Sequence, residues 1–132
     1  MITLIYGPKG SGKTKKIIDS ANLATEQTKG NVVFIGDSKY SAQLNNKIRF
    51  FNCVEYHVTG KPMTVGFIKG ILAGNYDITE FFIDGLHRIT GFSAIDLRDV
   101  FDEIEYLSTQ ENVNFTIALS TDVLPQYLNK YI

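Results

Sequence analysis

Fourteen residues at the head of the chain constrain its fold more than any other stretch. The apolar run Met1–Tyr6 (MITLIY) leads straight into Gly7-Pro8-Lys9-Gly10-Ser11-Gly12-Lys13-Thr14. This is the spacing G-x-x-x-x-G-K-[ST] of a phosphate-binding loop, the Walker A motif. Its glycines let the backbone take positive φ and approach a phosphate with no Cβ in the way. The loop then aims successive N–H groups at one point, a concave anion site. A helix starting near Lys13 adds the positive end of its dipole. Lys13 is spaced to reach the β- and γ-phosphates of a nucleotide, and the Thr14 hydroxyl to bind the Mg2+ that accompanies them. A Gly-rich turn that binds nothing is the alternative, and the flanks argue against it. The motif needs a strand before it and a helix after it. Ile2, Leu4, Ile5 and Tyr6 supply the strand. Across residues 13–29, Ile17, Ile18, Ala21 and Ala24 share one helical face, with charged and amide residues opposite.

Strand and helix signals alternate to the end of the chain. Val32–Ile35 is a β-branched and aromatic run that predicts a buried strand, closed by Gly36-Asp37-Ser38. Ser41–Lys47 suits one or two helical turns. Phe51–Val58 predicts a third strand, its mixed pattern fitting a place near the sheet edge. Met63–Ala73 reads as a helix ended by Gly74-Asn75. Phe81, Phe82 and Ile83 are consecutive and apolar, as in a strand covered on both faces. Gly85–Phe92 reads as a loop, and Ser93 as the cap of a helix from Ala94 to Gln110. Leu97, Val100, Phe101, Ile104 and Leu107 line one side of that helix. Its other side carries Asp99, Asp102, Glu103 and Glu105, either a solvated surface or a docking face for a basic partner. Phe115–Leu119 predicts a fifth strand, and Leu124–Tyr131 a short last helix with Pro125 in its first turn.

Five strands alternating with helices predict an α/β three-layer sandwich, a five-stranded, mainly parallel sheet with helices on both faces. A chain of 132 residues, 44% of them hydrophobic, suits a single domain over residues 1–132. Ligands in such sheets sit at the carboxyl ends of the strands. Asp84 closes the strand EFFID in the Walker B manner, apolar residues and then an aspartate, and is expected to hold Mg2+ directly or through a water. Alternatively, Asp84-Gly85 is only a turn-forming pair.

With both motifs in hand, the chain resembles P-loop NTPases of the RecA-like branch, in which extra strands separate the two Walker motifs. Within that branch its layout is similar to the core of thymidine kinases. The pieces that carry the likeness are GPKGSGKT, VVFIGD, EFFIDG and FTIALSTD. The resemblance implies an Mg-ATP site built from residues 7–14, with Thr14 and Asp84 on the metal. It also implies a glutamate base, and here the chain departs. The position after Asp84, where thymidine kinases and many RecA-like ATPases carry it, is Gly85. Others place it at the end of the strand after the first helix, where Asp37 stands, either as a substitute base or as a strand-end turn. His87 is a further candidate base, or merely a loop histidine. Ser120 or Thr121, at the end of the last strand, are candidates to contact the γ-phosphate or the attacking water, or to cap that strand end. Arg88 lies nearest the second motif of the three arginines, Arg49, Arg88 and Arg98, and is the candidate to neutralise transition-state charge. The plainer expectation for each of the three is a surface salt bridge. The zinc lobe and long acceptor loop of thymidine kinases have no counterpart.

Composition excludes several other classes. The net charge of −1, with no strongly basic stretch, does not point to nucleic acid. One cysteine, Cys53, excludes an internal disulfide framework or a multi-cysteine zinc site, and its apolar surroundings suit an inert thiol. No apolar run approaches the ~20 residues of a membrane span. With a strand and phosphate loop at its start in place of a signal peptide, the chain is expected to be soluble and cytoplasmic. The guanine-reading string Asn-Lys-x-Asp has no match, since Asn129-Lys130-Tyr131-Ile132 lacks the aspartate, so ATP or ADP is the expected nucleotide. Three functions follow as expectations: a slow or partner-activated ATPase; a catalytically silent nucleotide switch or adaptor; and a small-molecule, nucleoside-type kinase. A homo-oligomer or a protein partner is implied by the resemblance alone.

Overall fold

The computed structural model describes residues 1–132, Ser38 by its backbone only. In chain order the strands are β1 (Ile2–Gly7), β2 (Asn31–Gly36), β3 (Arg49–Asn52), β4 (Ile78–Asp84) and β5 (Asn114–Ser120). The helices are α1 (Lys13–Gln27), α2 (Lys61–Ala73), α3 (Leu86–Thr90) and α4 (Arg98–Glu111). Short 3-10 turns occupy Ser38–Gln43, Ala94–Asp96 and Gln126–Tyr131. The strands form one sheet in the order β1-β5-β4-β2-β3, and every pairing is parallel. The strands that end at Gly7 and Asp84, β1 and β4, are therefore separated by β5.

Strand side chains alternate between the two faces, and each face has its own core. Phe34 and Phe82 stack on one side against Ile17, Ile18 and Ala21 of α1. Phe81 and Phe115 stack on the other, with Ile83, Ile117 and Leu119, beneath the remaining helices. This double burial explains why β4 reads as an unbroken apolar run and not as an alternating one. Among the described residues no helix is long and apolar enough to cross a membrane.

Several boundaries differ from the sequence reading, each for a local reason. The third strand is Arg49–Asn52, not Phe51–Val58, although it does lie at the edge. The Asn52 side-chain carbonyl accepts from the N–H groups of Val54 and Glu55, which turns the chain away from the sheet. Cys53 and Val58 remain buried from within that turn. The turns expected over Ser41–Lys47 begin earlier, at Ser38, because Asp37 caps them by accepting from the Lys39 N–H at 3.1 Å. The segment read as a loop over Gly85–Phe92 contains α3, whose Leu86 and Ile89 are buried and whose ends are left-handed glycines, Gly85 and Gly91.

The helix expected from Ala94 to Gln110 is interrupted at Leu97. A continuous helix would give the Ala94 carbonyl to the Arg98 N–H. Here the Leu97 N–H and the Tyr127 hydroxyl donate to it instead. Ser93 does not cap the backbone; its hydroxyl faces the Asp96 carboxylate. The last helix is a 3-10 turn with Pro125 just outside it.

Candidate functional site

The parallel sheet brings one end of every strand to the same edge. Gly7 pairs with Ser120 across β1 and β5, and Asp84 with Ala118 across β4 and β5. A cleft of about 590 Å3 opens there, within the ~300–1,000 Å3 usual for small-molecule sites. Lys13, Thr14, Asp37, Asp84, His87 and Ser120 all line it, with Lys9, Gly10 and Gly12. Gly7, Pro8 and Ser11 shape the loop from behind. The four residues chosen from sequence as catalytic, Lys13, Asp37, Asp84 and Ser120, thus share one cavity.

The loop is closed by a turn in which the Ser11 N–H donates to the Pro8 carbonyl at 3.2 Å. Gly12 stands at φ 87 as the N-cap of α1, where any other residue would be strained. No side chain caps α1 and no acidic residue lies in its first turn, so its leading N–H groups lack a protein anion. The Lys13 ammonium folds back to donate to the Pro8 carbonyl at 2.8 Å and the Ser11 hydroxyl at 3.3 Å. Desolvation draws the Lys13 pKa below its ordinary value; nearby Asp84 opposes this and Arg88 adds to it.

Asp84 is 3% exposed, and its carboxylate faces the same cleft as the Thr14 side chain. Burial raises its pKa; Arg88, the Thr14 hydroxyl and Lys13 pull it down, and Asp37 pushes it further up. Two hard oxygens, Thr14 Oγ1 and the Asp84 carboxylate, thus belong to the cleft that Lys13 also lines. Among the described residues no group of three His, Cys, Asp or Glu could hold a metal unaided. The set fits Mg2+, which takes one or two protein oxygens and completes its octahedron from waters and substrate phosphates.

The remaining candidates divide. Asp37 faces the cleft with one carboxylate oxygen committed to the Lys39 N–H. His87 Nδ1 accepts from the Ser120 N–H at 3.3 Å, which assigns the ring proton to Nε2. Burial lowers the His87 pKa, with Arg88 and Lys13 adding to the effect. The ring is therefore a neutral donor at Nε2, not a base through Nδ1. The Thr121 hydroxyl donates to the Val123 carbonyl and stands outside the cleft.

None of the arginines makes the surface salt bridge expected of it. Among the described residues the ion pairs are Lys15–Asp19, Lys61–Asp99, Lys69–Glu103 and Lys130–Glu105. Arg49 donates to Asn75, Arg98 opens α4 away from the cleft, and Arg88 lines the cleft. Sequence reasoning missed Lys39 and Tyr40, which also line it. Their only signal was to follow the polar end of β2. Cys53 is buried, and desolvation raises its thiol to about 11.

No protein-family model matches the chain, and no curated protein matches it in sequence. Among solved structures it is similar to the flagellar accessory protein FlaH from Methanocaldococcus jannaschii, with a TM-score of 0.63 and 12% identity. The alignment covers 98% of this chain and 65% of the FlaH chain, so this chain spans just under two thirds of that length. At that identity the likeness is one of fold, a parallel α/β sheet with helices around it.

Proposed function

We propose that the chain binds Mg-ATP through residues 7–14 and Asp84, and hydrolyses it slowly or only when a partner completes the site. One observation carries this reading: Thr14 and the buried Asp84 line the same cleft as Lys13, at the uncapped start of α1. Two motifs seventy residues apart in sequence meet where a nucleotide's phosphates and metal would need them. When bound, Mg2+ neutralises charge on the β- and γ-phosphates, held by Thr14 and Asp84. The loop N–H groups and the α1 dipole hold the phosphate oxygens, Lys13 leaves the Pro8 carbonyl for the β- and γ-phosphates, and His87 Nε2 donates toward the terminal phosphate. The base for an attacking water is the weak point. Gly85 has no side chain, and His87 Nδ1 is occupied by the Ser120 N–H. Asp37 remains, with one oxygen uncommitted among the described residues. Positioning and electrostatics without a strong base support turnover, but slow turnover.

A second reading, a catalytically silent switch, is favoured by Gly85. A Cβ built there would lie 2.4 Å from the Arg88 guanidinium. A mobile cation lies where a glutamate would stand, which suits holding a nucleotide more than splitting it. A partner would then read the occupied state. The two readings separate in one experiment, Mg-ATP calorimetry on the wild type and Lys13→Ala with phosphate release measured across protein concentrations. Binding lost in the variant, with release rising steeply with concentration, is the result expected of an ATPase completed by assembly. Binding without release at any concentration leaves the switch. No binding in the wild type sinks both.

A further inference from the structure

A second hollow, about 210 Å3, opens beside the cleft at the ends of β2 and β4. Its walls are Cys53, Val58 and Ile89, all buried, with Val54 and Thr59 exposed at the mouth. Asp37, Asp84 and Arg88 line both hollows, so these three charged groups form the seam where the two spaces meet. The seam is what distinguishes this hollow from a packing defect. An apolar chamber ends on a carboxylate, a second carboxylate and a guanidinium that also face the proposed terminal phosphate.

We infer that this chamber binds a small neutral alcohol with a compact apolar body, and that its hydroxyl accepts the terminal phosphoryl group of the nucleotide. The inference rests on the reading of residues 7–14 and Asp84 as a nucleoside triphosphate site. Size sets the first limit: 210 Å3 is the room of about seven waters at ~30 Å3 each, enough for one ring and a short side chain. Charge sets the second. Beyond the seam the lining is Gly36, Cys53, Val54, Val58, Thr59 and Ile89, which offers no charged partner to a distal carboxylate or ammonium. A buried ion without one is strongly disfavoured. At the seam itself Asp37 faces the chamber, a carboxylate that can take a proton from a hydroxyl but offers no partner to an anion.

The step balances with groups at the seam. The acceptor oxygen bonds to the γ-phosphorus, the bond from that phosphorus to the β–γ bridging oxygen breaks, and ADP leaves with the electron pair. The hydroxyl proton passes to the uncommitted oxygen of Asp37, whose other oxygen is held by the Lys39 N–H. Arg88 faces the charge that spreads over the transferring group. A water in the same chamber would be poorly held by apolar walls, so slow hydrolysis is expected without an acceptor.

Benzyl alcohol is the probe, and benzoate its anionic counterpart of similar size. Methyl NMR of the full chain follows Val58 and Ile89 in the chamber, with the exposed Val123 as reference. Saturable shifts at Val58 and Ile89 with the alcohol, weaker shifts with benzoate, and loss of both in Val54→Trp are expected. Val54 is 72% exposed, so the tryptophan covers the mouth without disturbing the core. With Mg-ATP present, phosphorus NMR should then show benzyl phosphate. Chamber shifts no larger than those of Val123, equal binding of benzoate, shifts that survive Val54→Trp, or release of inorganic phosphate alone would each overturn the inference. Calorimetry of Mg-ATP on the same sample keeps the two readings apart. Intact nucleotide binding with a silent chamber overturns the acceptor alone, whereas absent nucleotide binding removes the proposed function and the transfer with it.

Discussion

Gly85 and Arg88 are best understood as a pair. Gly85 stands at φ 82, and a Cβ there would lie within 2.4 Å of the guanidinium. Gly85→Glu would supply a carboxylate directly after Asp84, yet it would strain the backbone and displace the Arg88 guanidinium. We expect no gain in phosphate release and a stability loss of about 1–2 kcal/mol by urea unfolding; faster release would show that the missing glutamate alone limits turnover. Two titrating neighbours pull stability in opposite directions. The folded pKa of His87 is depressed, so its contribution is present above the ordinary histidine value near 6.5 and is lost as pH falls through the folded value. His87→Asn should remove that part of the acid sensitivity, read as a shallower fall of melting temperature below pH 6.5. The folded pKa of Asp84 is raised, chiefly by burial. The folded protein holds that proton more tightly than the unfolded chain, so an ionised Asp84 costs stability at neutral pH and the cost is relieved on acidification. Asp84→Asn should therefore raise the melting temperature of the nucleotide-free protein while abolishing the Mg2+ dependence of ATP binding. A lower melting temperature in the variant would show that Lys13, Arg88 and the Thr14 hydroxyl outweigh desolvation.

At the scale of elements, what could be read from the chain was set by periodicity, and what could not was set by single hydrogen bonds. The strands β1, β2, β4 and β5 are apolar runs bounded by glycine, aspartate or serine, and helices α1 and α2 carry one apolar face each; all were legible. β3 was misplaced because Asn52 turns a chain whose apolar pattern continues through Cys53 and Val58. α3 was missed because five residues are too few to display a period. The break before α4 depends on the Tyr127 hydroxyl, thirty-three residues away from the carbonyl it takes. That same contact ties the tail to α4, where Phe101 stacks on Tyr131 at 5.6 Å and meets Tyr127 edge-on at 6.0 Å. Phe101→Ala should cost about 3–5 kcal/mol by denaturant unfolding. It should also speed amide exchange in residues 126–131 more than in β4. Equal loss of protection in both would mean that the tail is no separate appendage of α4.

For the whole molecule, the strand order β1-β5-β4-β2-β3 matters most. Nothing in local sequence dictates that β5, last in the chain, inserts between β1 and β4, since neighbouring strands are chosen by packing between distant segments. The candidate site was nevertheless legible, because any parallel sheet delivers the ends of its strands to one edge, and Gly7, Asp37, Asp84 and Ser120 all sit at strand ends. The second chamber was not legible, because it depends on how the turn after β3 folds back over α3. Since the cleft draws on four strands and α1, a ligand bound there should stabilise the molecule as a unit. Binding adds RT ln(1 + [L]/Kd), about 2.7 kcal/mol at a hundredfold excess over Kd, which for a domain of this size is a rise on the order of 10 °C in melting temperature. That rise should need both Mg2+ and ATP, and should vanish in Lys13→Ala, where the loop loses its cation, and in Asp84→Asn, where the metal loses its carboxylate. A comparable rise with ATP in Lys13→Ala would place the nucleotide somewhere other than the loop. A rise in the wild type that ignores Mg2+ would instead leave Thr14 and Asp84 a structural pair, the hydroxyl satisfying a buried carboxylate and holding no metal.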